Sequence, residues 1–167
     1  MRRLAGSALL AAVLLLSAGA GPPRAPAPAP DSALVIEGEV PHAVHLAEAD
    51  LRHFPRTEER VSFEGEHGQT TATYTGVRLW TLLEQAEVVG ASKPRDRVGR
   101  VLIATGRDGY TAALALAEID PAFENKPVLI AYAANGQPMA DGALRLLVPG
   151  DRRGGRSVRD LVRIAVR

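Results

Sequence analysis

Short apolar stretches separated by turn-forming residues recur along most of the chain. Strand-like alternation or short apolar runs are found at residues 33–40, 60–66, 70–76, 100–106, 110–116, 127–133, 143–149 and 161–167. In the last of these, Val162, Ile164 and Val166 share one face, whereas Leu161 and Arg163 share the other. Because side chains alternate across a strand, this pattern predicts one face on the core and one partly exposed, as in an antiparallel sheet.

Two stretches follow a helical period instead. Residues 46–54 carry apolar side chains at helical spacing, and Pro55 ends that predicted helix. Residues 75–86, TGVRLWTLLEQA, form the longest predicted helix, with Thr75 as its N-cap. Its apolar stripe consists of Leu79, Leu82, Leu83 and Ala86. Many strands with a few short helices indicate an α+β or mostly-β fold.

Turn-forming pairs and one polar segment separate these elements. The Asp-Gly pair at 108–109 and the Asn-Gly pair at 135–136 each predict a β-hairpin turn. The segment GASKPRDR, residues 90–97, is predicted as a polar loop. A short helix or turn is expected in AEIDPAFENK, residues 117–126.

The first thirty residues are predicted to lie outside the folded domain. Residues 1–20, MRRLAGSALLAAVLLLSAGA, have the basic start, apolar run and small residues of a secretory signal peptide. Residues 21–30 alternate Ala and Pro, which favours an extended linker. We therefore expect one folded domain at residues 31–167. The protein is expected to be periplasmic or secreted, without insertion into the membrane, and to be exported by either the general or the twin-arginine route.

Composition excludes several classes of function. The chain contains no cysteine, so it offers neither a thiolate nucleophile nor a thiolate metal ligand. Loss of Arg2 and Arg3 lowers Lys+Arg from 20 to 18 against 19 Asp+Glu, a net charge of about −1. A chain without excess positive charge is not expected to bind nucleic acid.

The segment GDRRGGRSVRD, residues 150–160, is the clearest candidate site. Arg152, Arg153, Arg156 and Arg159 lie among glycines, a pattern that suits either a solvated turn or a loop that grips an anion. Two histidines three residues apart, His42 and His45, are a weak metal signal, and surface positions explain them equally well.

Four consecutive blocks of the sequence carry a resemblance to a known family. They are YTGVRLWTLLEQA, ATGRDGYTAALAL, PVLIAYAANGQPM and LRLLVPGDRRGGRSVRDLVRIAV. In this order they resemble the molybdopterin-binding domain of the sulfite oxidase family, across roughly residues 33–167. The resemblance implies a mostly-β fold with a few short helices, a molybdopterin cofactor and oxygen-atom transfer to or from small oxyanions.

The resemblance also implies positions for site residues. Tyr110 matches a tyrosine that lies near the metal in sulfite oxidases, although a strand tyrosine that only packs is the alternative. Arg156, Ser157 and Arg159 match positions that approach the pterin and its phosphate, and Arg153 is a further candidate contact in the same loop. These assignments give one expected catalytic residue and four expected cofactor contacts.

Two departures from the family pattern bear on activity. Where the family has its metal-ligand cysteine, this chain has Glu64 or Gly65. Where the family has a basic residue followed by an aromatic residue, this chain has Arg159 and Asp160. A carboxylate is a harder ligand than a thiolate and replaces it poorly.

Two hypotheses follow from the sequence. In the first, the protein is an exported molybdopterin-dependent oxidoreductase domain. In the second, it is a cofactor-free and catalytically inactive module that binds an anionic small molecule, a pterin or a protein partner. The substrate, any redox partner and the oligomeric state stay open.

Overall fold

The computed structural model describes residues 34–65, 68–85, 87, 89 and 93–167. The predicted signal peptide and linker lie outside these residues, as does Ala86 of the expected helical stripe. Export and the boundaries of the domain therefore stay predictions. Within the described residues, no helix is long and apolar enough to cross a bilayer.

Ten strands and four short helices make up the regular structure of the described residues. The strands are β1 Leu34–Gly38, β2 Val44–Leu46, β3 Thr57–Gly65, β4 Gly68–Arg78, β5 Val101–Gly106, β6 Thr111–Ala115, β7 Leu129–Ala134, β8 Gln137–Pro138, β9 Arg145–Leu147 and β10 Leu161–Val166. The helices are α1 Glu48–Leu51, α2 Leu79–Gln85, α3 Pro94–Arg97 and α4 Leu116–Ile119. Two 3₁₀ turns are found at Ala140–Gly142 and Gly154–Arg156.

The strands form two sheets that share one core. The first sheet has the order β2-β1-β10-β5-β6, and the second has the order β3-β4-β7-β8, with β9 also paired to β7. The β1 and β10 pair is parallel, and the other strand pairs are antiparallel. Buried side chains from both sheets and from α1, α2 and α4 form the main hydrophobic cluster. The expected mostly-β fold with a few short helices is confirmed.

The second sheet is apolar on both faces. On β9 and its flanks, Leu144, Leu146 and Val148 join the main core, whereas Leu147 belongs to a smaller cluster. Val61, Tyr74, Leu129 and Ala131 complete the buried part of that cluster on the outer face of the sheet. An apolar outer face of a sheet must be shielded from water by other parts of the chain. The loop after β9 packs on this face.

A β-bulge in β7 determines which side chains reach that outer face. Thr75 pairs with Ala133 and Gly76 pairs with Ala131, so Tyr132 has no residue opposite it on β4. Tyr132 and Ala133 consequently both contact the main core, and Ala134 turns to the outer face. Gly76 permits the close strand approach, because a Cβ there would lie 2.1 Å from the Ile130 carbonyl oxygen.

The predicted hairpins are present in the structure. β5 and β6 pair on either side of the Asp-Gly turn, and β7 and β8 pair on either side of the Asn-Gly turn. Asn135 and Gly136 both have positive φ, 50° and 76°, as the tight hairpin turn of this residue pair requires.

Three local predictions were wrong. Thr75 does not cap a helix, because β4 runs to Arg78 and buries Thr75 between β3 and β7 before α2 begins. The predicted polar loop contains α3, which starts with Pro94 and buries Arg97. β10 is not half exposed, since it lies between β1 and β5, and apart from Arg163 the whole strand is buried.

A buried ion pair joins α3 to the end of α4. Arg97 Nε donates to Asp120 Oδ2 at 2.7 Å, and the two side chains are 9% and 1% exposed. Burial by itself raises the pKa of Asp120, but hydrogen bonds from Arg97 and the Ala122 amide outweigh it and hold the pKa below its ordinary value. The Arg97 guanidinium also lies 5.5 Å from the centre of the Trp80 ring, which secures α2.

We expect Asp120→Asn to destabilise the protein by about 2–4 kcal/mol at pH 7, because it leaves Arg97 buried without its counter-charge. Because the pKa of Asp120 is lowered in the folded protein, the ion pair stabilises the protein fully at pH values above the ordinary carboxyl pKa of 3.8. This stabilisation is lost as the pH falls through the pKa of Asp120 in the folded state. The difference in urea unfolding free energy between wild type and variant should therefore shrink in acid. The matched control is Asp96→Asn in α3, whose exposed pair with Arg95 should contribute below about 0.5 kcal/mol. Equal losses from both variants would contradict the assignment.

Candidate functional site

Three adjoining cavities lie where the loop after β9 meets the outer face of the second sheet. The central cavity, of about 280 Å³, is lined by residues that include Val61, Phe63, Ala72, Tyr74, Arg145 and Arg159. The tyrosine groove, of about 300 Å³, is lined by Asp108, Tyr110, Gly154, Ser157 and Arg159. The apolar chamber, of about 340 Å³, is lined by residues that include Tyr74, Ala134, Met139, Leu144, Arg145 and Arg159.

Arg159 lies where all three cavities meet. Its side chain is exposed and makes no hydrogen bond or ion pair with the described part of the chain. Gly106 brings the Arg159 backbone close to the end of β5, because a Cβ on residue 106 would lie 2.7 Å from the Arg159 carbonyl oxygen. Arg159, which the sequence analysis predicted to be a site residue, thus places its guanidinium at the junction of three cavities.

Arg145 is a second cation in the wall between the central cavity and the apolar chamber. Its Nη1 donates to the Tyr74 hydroxyl oxygen at 3.0 Å, and its guanidinium lies 5.4 Å from the centre of the Tyr74 ring. Its Nε is buried and has no hydrogen-bond partner among the described residues. Burial lowers the pKa of Arg145, Tyr74 opposes that shift, and the charge of Arg159 adds to it. A guanidinium stays charged under such conditions, so Arg145 is a desolvated and incompletely paired cation.

The carboxylates beside the cavities already have partners. Glu64 accepts from Arg152 Nε at 2.8 Å, and Asp160 accepts from Arg107 Nε at 2.9 Å. Asp108 Oδ1 accepts from the Tyr110 amide at 2.9 Å. Arg145 and Arg159 contact no carboxylate within the described chain, so the junction of the cavities carries positive charge.

Arg156 occupies a different environment from the one expected. Its Nε and Nη2 bind Asp151 at 2.9 and 2.6 Å, and its Nη1 binds both oxygens of Glu118 at 3.1 and 2.9 Å. The bidentate bond to Asp151 raises the pKa of Arg156, burial opposes this, and Glu118 adds to the rise. Contact between Arg156 and a ligand stays a prediction, and it would require displacement of one of these carboxylates. In the structure Arg156 anchors the loop.

Ser157 and Arg153 differ in their access to the cavities. Ser157 is buried, lines the central cavity and the tyrosine groove, and accepts from the Val148 amide at 3.2 Å. Its hydroxyl hydrogen is engaged by no described residue, so it can donate into either cavity. Arg153 is exposed and lines none of the three cavities, so the structure does not bring it to the others. A role for either residue in cofactor binding stays a prediction.

Tyr110 and the arginine–glycine loop, residues 150–159, come together. The Tyr110 hydroxyl donates to the Gly155 carbonyl oxygen at 2.6 Å, and half of the side chain is exposed. The β5–β6 hairpin thereby holds the 3₁₀ turn of the loop, and the ring forms a side of the tyrosine groove. The Gly155 carbonyl oxygen positions the Tyr110 hydroxyl. A catalytic role for Tyr110 stays a prediction.

Glu64 lies at the wall of the central cavity, at the end of β3. Its amide donates to the Arg152 carbonyl oxygen at 2.9 Å, so the arginine–glycine loop is bound to β3 through both backbone and side chain. The position that the resemblance assigned to a metal ligand therefore faces the cavity. Among the described residues, no cluster of three His, Cys, Asp or Glu side chains could hold a metal ion.

Sequence reasoning missed Arg145 and Tyr74. Arg145 lies in the run LRLLV, where alternation with buried leucines marks it only as an outward-facing strand residue. Tyr74 is 71 residues away in the chain, and only the pairing of β4 and β9 with β7 brings the two side chains together. The one available signal was an arginine on an otherwise apolar strand.

The fold and this cationic junction define a mostly-β domain with three adjoining cavities around two arginines. A family model described as the oxidoreductase molybdopterin binding domain matches residues 23–167. The chain belongs to this family, and the resemblance stated from its four sequence blocks is confirmed.

One solved structure illustrates the likeness in fold. The crystal structure of the sulfane dehydrogenase SoxCD from Paracoccus pantotrophus is similar, with a TM-score of 0.64 and 24% sequence identity. The similarity covers 80% of this chain and 37% of that chain, so this chain spans little more than a third of its length. The comparison with curated proteins gives no match.

The side chains present fit only part of the cofactor that the family implies. Arg145 and Arg159 suit the anionic end of a phosphorylated pterin, since both line the cavities and neither contacts a carboxylate in the described part of the chain. The metal end is not matched, because the chain has no cysteine and Glu64 is engaged with Arg152. We therefore derive no redox step.

The bond between Tyr110 and Gly155 has a measurable effect. Tyr110→Phe should lower the free energy of unfolding by about 1 kcal/mol, because it removes one hydrogen bond while it keeps the ring. Amide hydrogen exchange should become faster in residues 150–159 and stay unchanged in β7. Uniformly faster exchange, or no change in the loop, would contradict the anchoring role.

Proposed function

We propose that this protein binds a small molecule through a tetrahedral oxyanion group, such as a phosphate or sulfonate, at the junction of the three cavities. The observation that carries the proposal is that Arg145 and Arg159 both line the cavities at this junction and that neither has a carboxylate partner among the described residues. An anionic oxygen placed between them would give each guanidinium a charge-assisted hydrogen-bond acceptor. This chemistry corresponds to the binding-module hypothesis.

Electrostatics support the same ligand class. Two positive groups near one another repel, as the effect of Arg159 on the pKa of Arg145 indicates. An anion between them converts this repulsion into two attractions in a site that is partly shielded from water. Neutral ligands would leave the two cations uncompensated, so we expect them to bind poorly.

Neighbouring groups would orient the bound anion. The Ser157 hydroxyl is free to donate toward the central cavity, while Tyr74 holds one end of the Arg145 guanidinium. Gly154 lies against the Phe63 ring, with 3.4 Å between the ring and a Cβ placed on the glycine. The loop can approach the sheet closely there, and the cavity stays narrow.

A molybdopterin-dependent oxidoreductase is the second candidate function. Family membership favours it. The pterin of such a cofactor carries a phosphate, which Arg145 and Arg159 would hold. The cofactor supplies oxygen-atom transfer chemistry when it is bound.

Anion binding should raise the melting temperature of the purified protein. At a phosphate or sulfate concentration ten times Kd, the expected stabilisation is about 1.4 kcal/mol, or roughly 3–6 °C for a domain of this size. Arg159→Gln and Arg145→Gln should each weaken binding by about tenfold or more, because a charge-assisted hydrogen bond is lost. Differential scanning fluorimetry in buffers matched to the same ionic strength with sodium chloride measures the shift.

Arg153→Gln is the matched control for this experiment. It removes the same charge from the same loop at an exposed side chain that lines none of the three cavities. Its phosphate-induced shift should equal that of wild type. A shift that falls equally in Arg153→Gln and Arg159→Gln would mean general charge attraction, and the absence of any anion effect in wild type would overturn the proposal.

Metal and pterin content separate the two candidates. Protein isolated from its native host should contain molybdenum well below one equivalent, measured by inductively coupled plasma mass spectrometry, if the binding-module hypothesis is correct. Pterin fluorescence after denaturation reports the organic part of the cofactor independently. Stoichiometric molybdenum would overturn the binding-module hypothesis and establish the oxidoreductase candidate.

A further inference from the structure

The apolar chamber adjoins the oxyanion site and has a different chemistry. Apart from the shared Tyr74, Arg145 and Arg159, its lining consists of Ala134, Met139, Ala143, Leu144 and Asp160. Four of these five side chains are apolar, and Leu144 is fully buried while the other three are partly buried. Its volume of about 340 Å³ is large enough for a ring or a short alkyl chain.

The single acidic residue of the chamber does not reverse its charge. Asp160 is paired with Arg107, and its backbone has a positive φ of 44° that fixes it at the end of the loop. Arg145 and Arg159 lack carboxylate partners in the described chain and lie on the border that the chamber shares with the central cavity. A ligand whose head group is held by these arginines can therefore place an attached group in the chamber.

Two features of the fold build the chamber. The β7 bulge turns Ala134 to the outer face, and the 3₁₀ turn after β8 places Met139 and Ala143 on either side of it. Met139 is held by a hydrogen bond from its amide to the Tyr132 carbonyl oxygen at 3.0 Å. A methionine side chain adapts its shape to an apolar ligand.

We propose that the ligand of this site is an amphiphilic anion, in which an apolar ring or chain is attached directly to the oxyanion group. The inference rests on the proposed oxyanion site. The head group contacts Arg145 and Arg159, and the apolar group fills the chamber against Met139 and Leu144. Water leaves the chamber on binding, which makes the apolar group a source of affinity rather than a passive attachment.

A pair of sulfonates tests this inference. Benzenesulfonate and methanesulfonate are both fully ionised monoanions at neutral pH and differ only in the apolar group. Isothermal titration calorimetry on the full chain should give a Kd for benzenesulfonate at least about tenfold lower than for methanesulfonate. The heat capacity change should also be more negative for the aromatic compound.

Variants in two different cavities test which cavity receives the ring of benzenesulfonate. Met139→Gln makes the apolar chamber polar without a change of charge, and it should reduce the preference for benzenesulfonate to within about threefold while methanesulfonate binds as before. Met139→Leu should retain the preference. Val61→Thr makes a matched polar change in the central cavity and should leave the preference at its wild-type value.

Each result has a distinct meaning. If neither sulfonate binds, the oxyanion site itself fails and the inference fails with it. If both bind with equal affinity, the oxyanion site stands and the amphiphilic ligand class is wrong. If Val61→Thr removes the preference and Met139→Gln does not, the ring enters the central cavity and the role of the chamber is wrong.

Discussion

The double pairing of Arg156 with Asp151 and Glu118 is the interaction on which the site depends. It binds the arginine–glycine loop to α4, while Tyr110 binds the same loop to the β5–β6 hairpin and Glu64 binds it to β3. A loop held to three elements loses little further conformational entropy when a ligand arrives. Arg156 thus fixes the shape of the loop, whereas the Arg159 side chain has no hydrogen bond or ion pair with the described residues.

The charged groups around the cavities are unequally paired. Glu64 and Asp160 are each paired with an arginine, whereas Arg145 and Arg159 have no carboxylate partner in the described chain. A net charge near zero for the whole chain thus conceals a local positive site. The outer face of the second sheet contributes apolar surface beside that charge. Together these features are the basis of the proposed ligand class, an anionic head with an apolar body.

The sequence predicted most of the strands and the β5–β6 and β7–β8 hairpins, because alternation and turn chemistry are local properties. The family was predicted separately, from the resemblance of four sequence blocks. It placed Arg159, Ser157 and Tyr110 near one site, and the structure brings these three to adjoining cavities. It failed for Arg145, whose importance depends on Tyr74 and on burial behind β4. It also failed for Thr75 and α3, because pairing on both sides of β4 and the bond between Arg97 and Asp120 override local preference.

The sequence by itself determined what chemistry is available: no thiolate, an arginine-rich loop and a mostly-β fold of the molybdopterin-binding family. Only the tertiary structure decided how the arginines divide their roles. Arg156 meets Glu118 across 38 residues, and Arg145 meets Tyr74 across 71 residues. Whether a guanidinium is satisfied or free depends on such distant partners and on burial, and neither can be inferred from neighbouring residues in the chain.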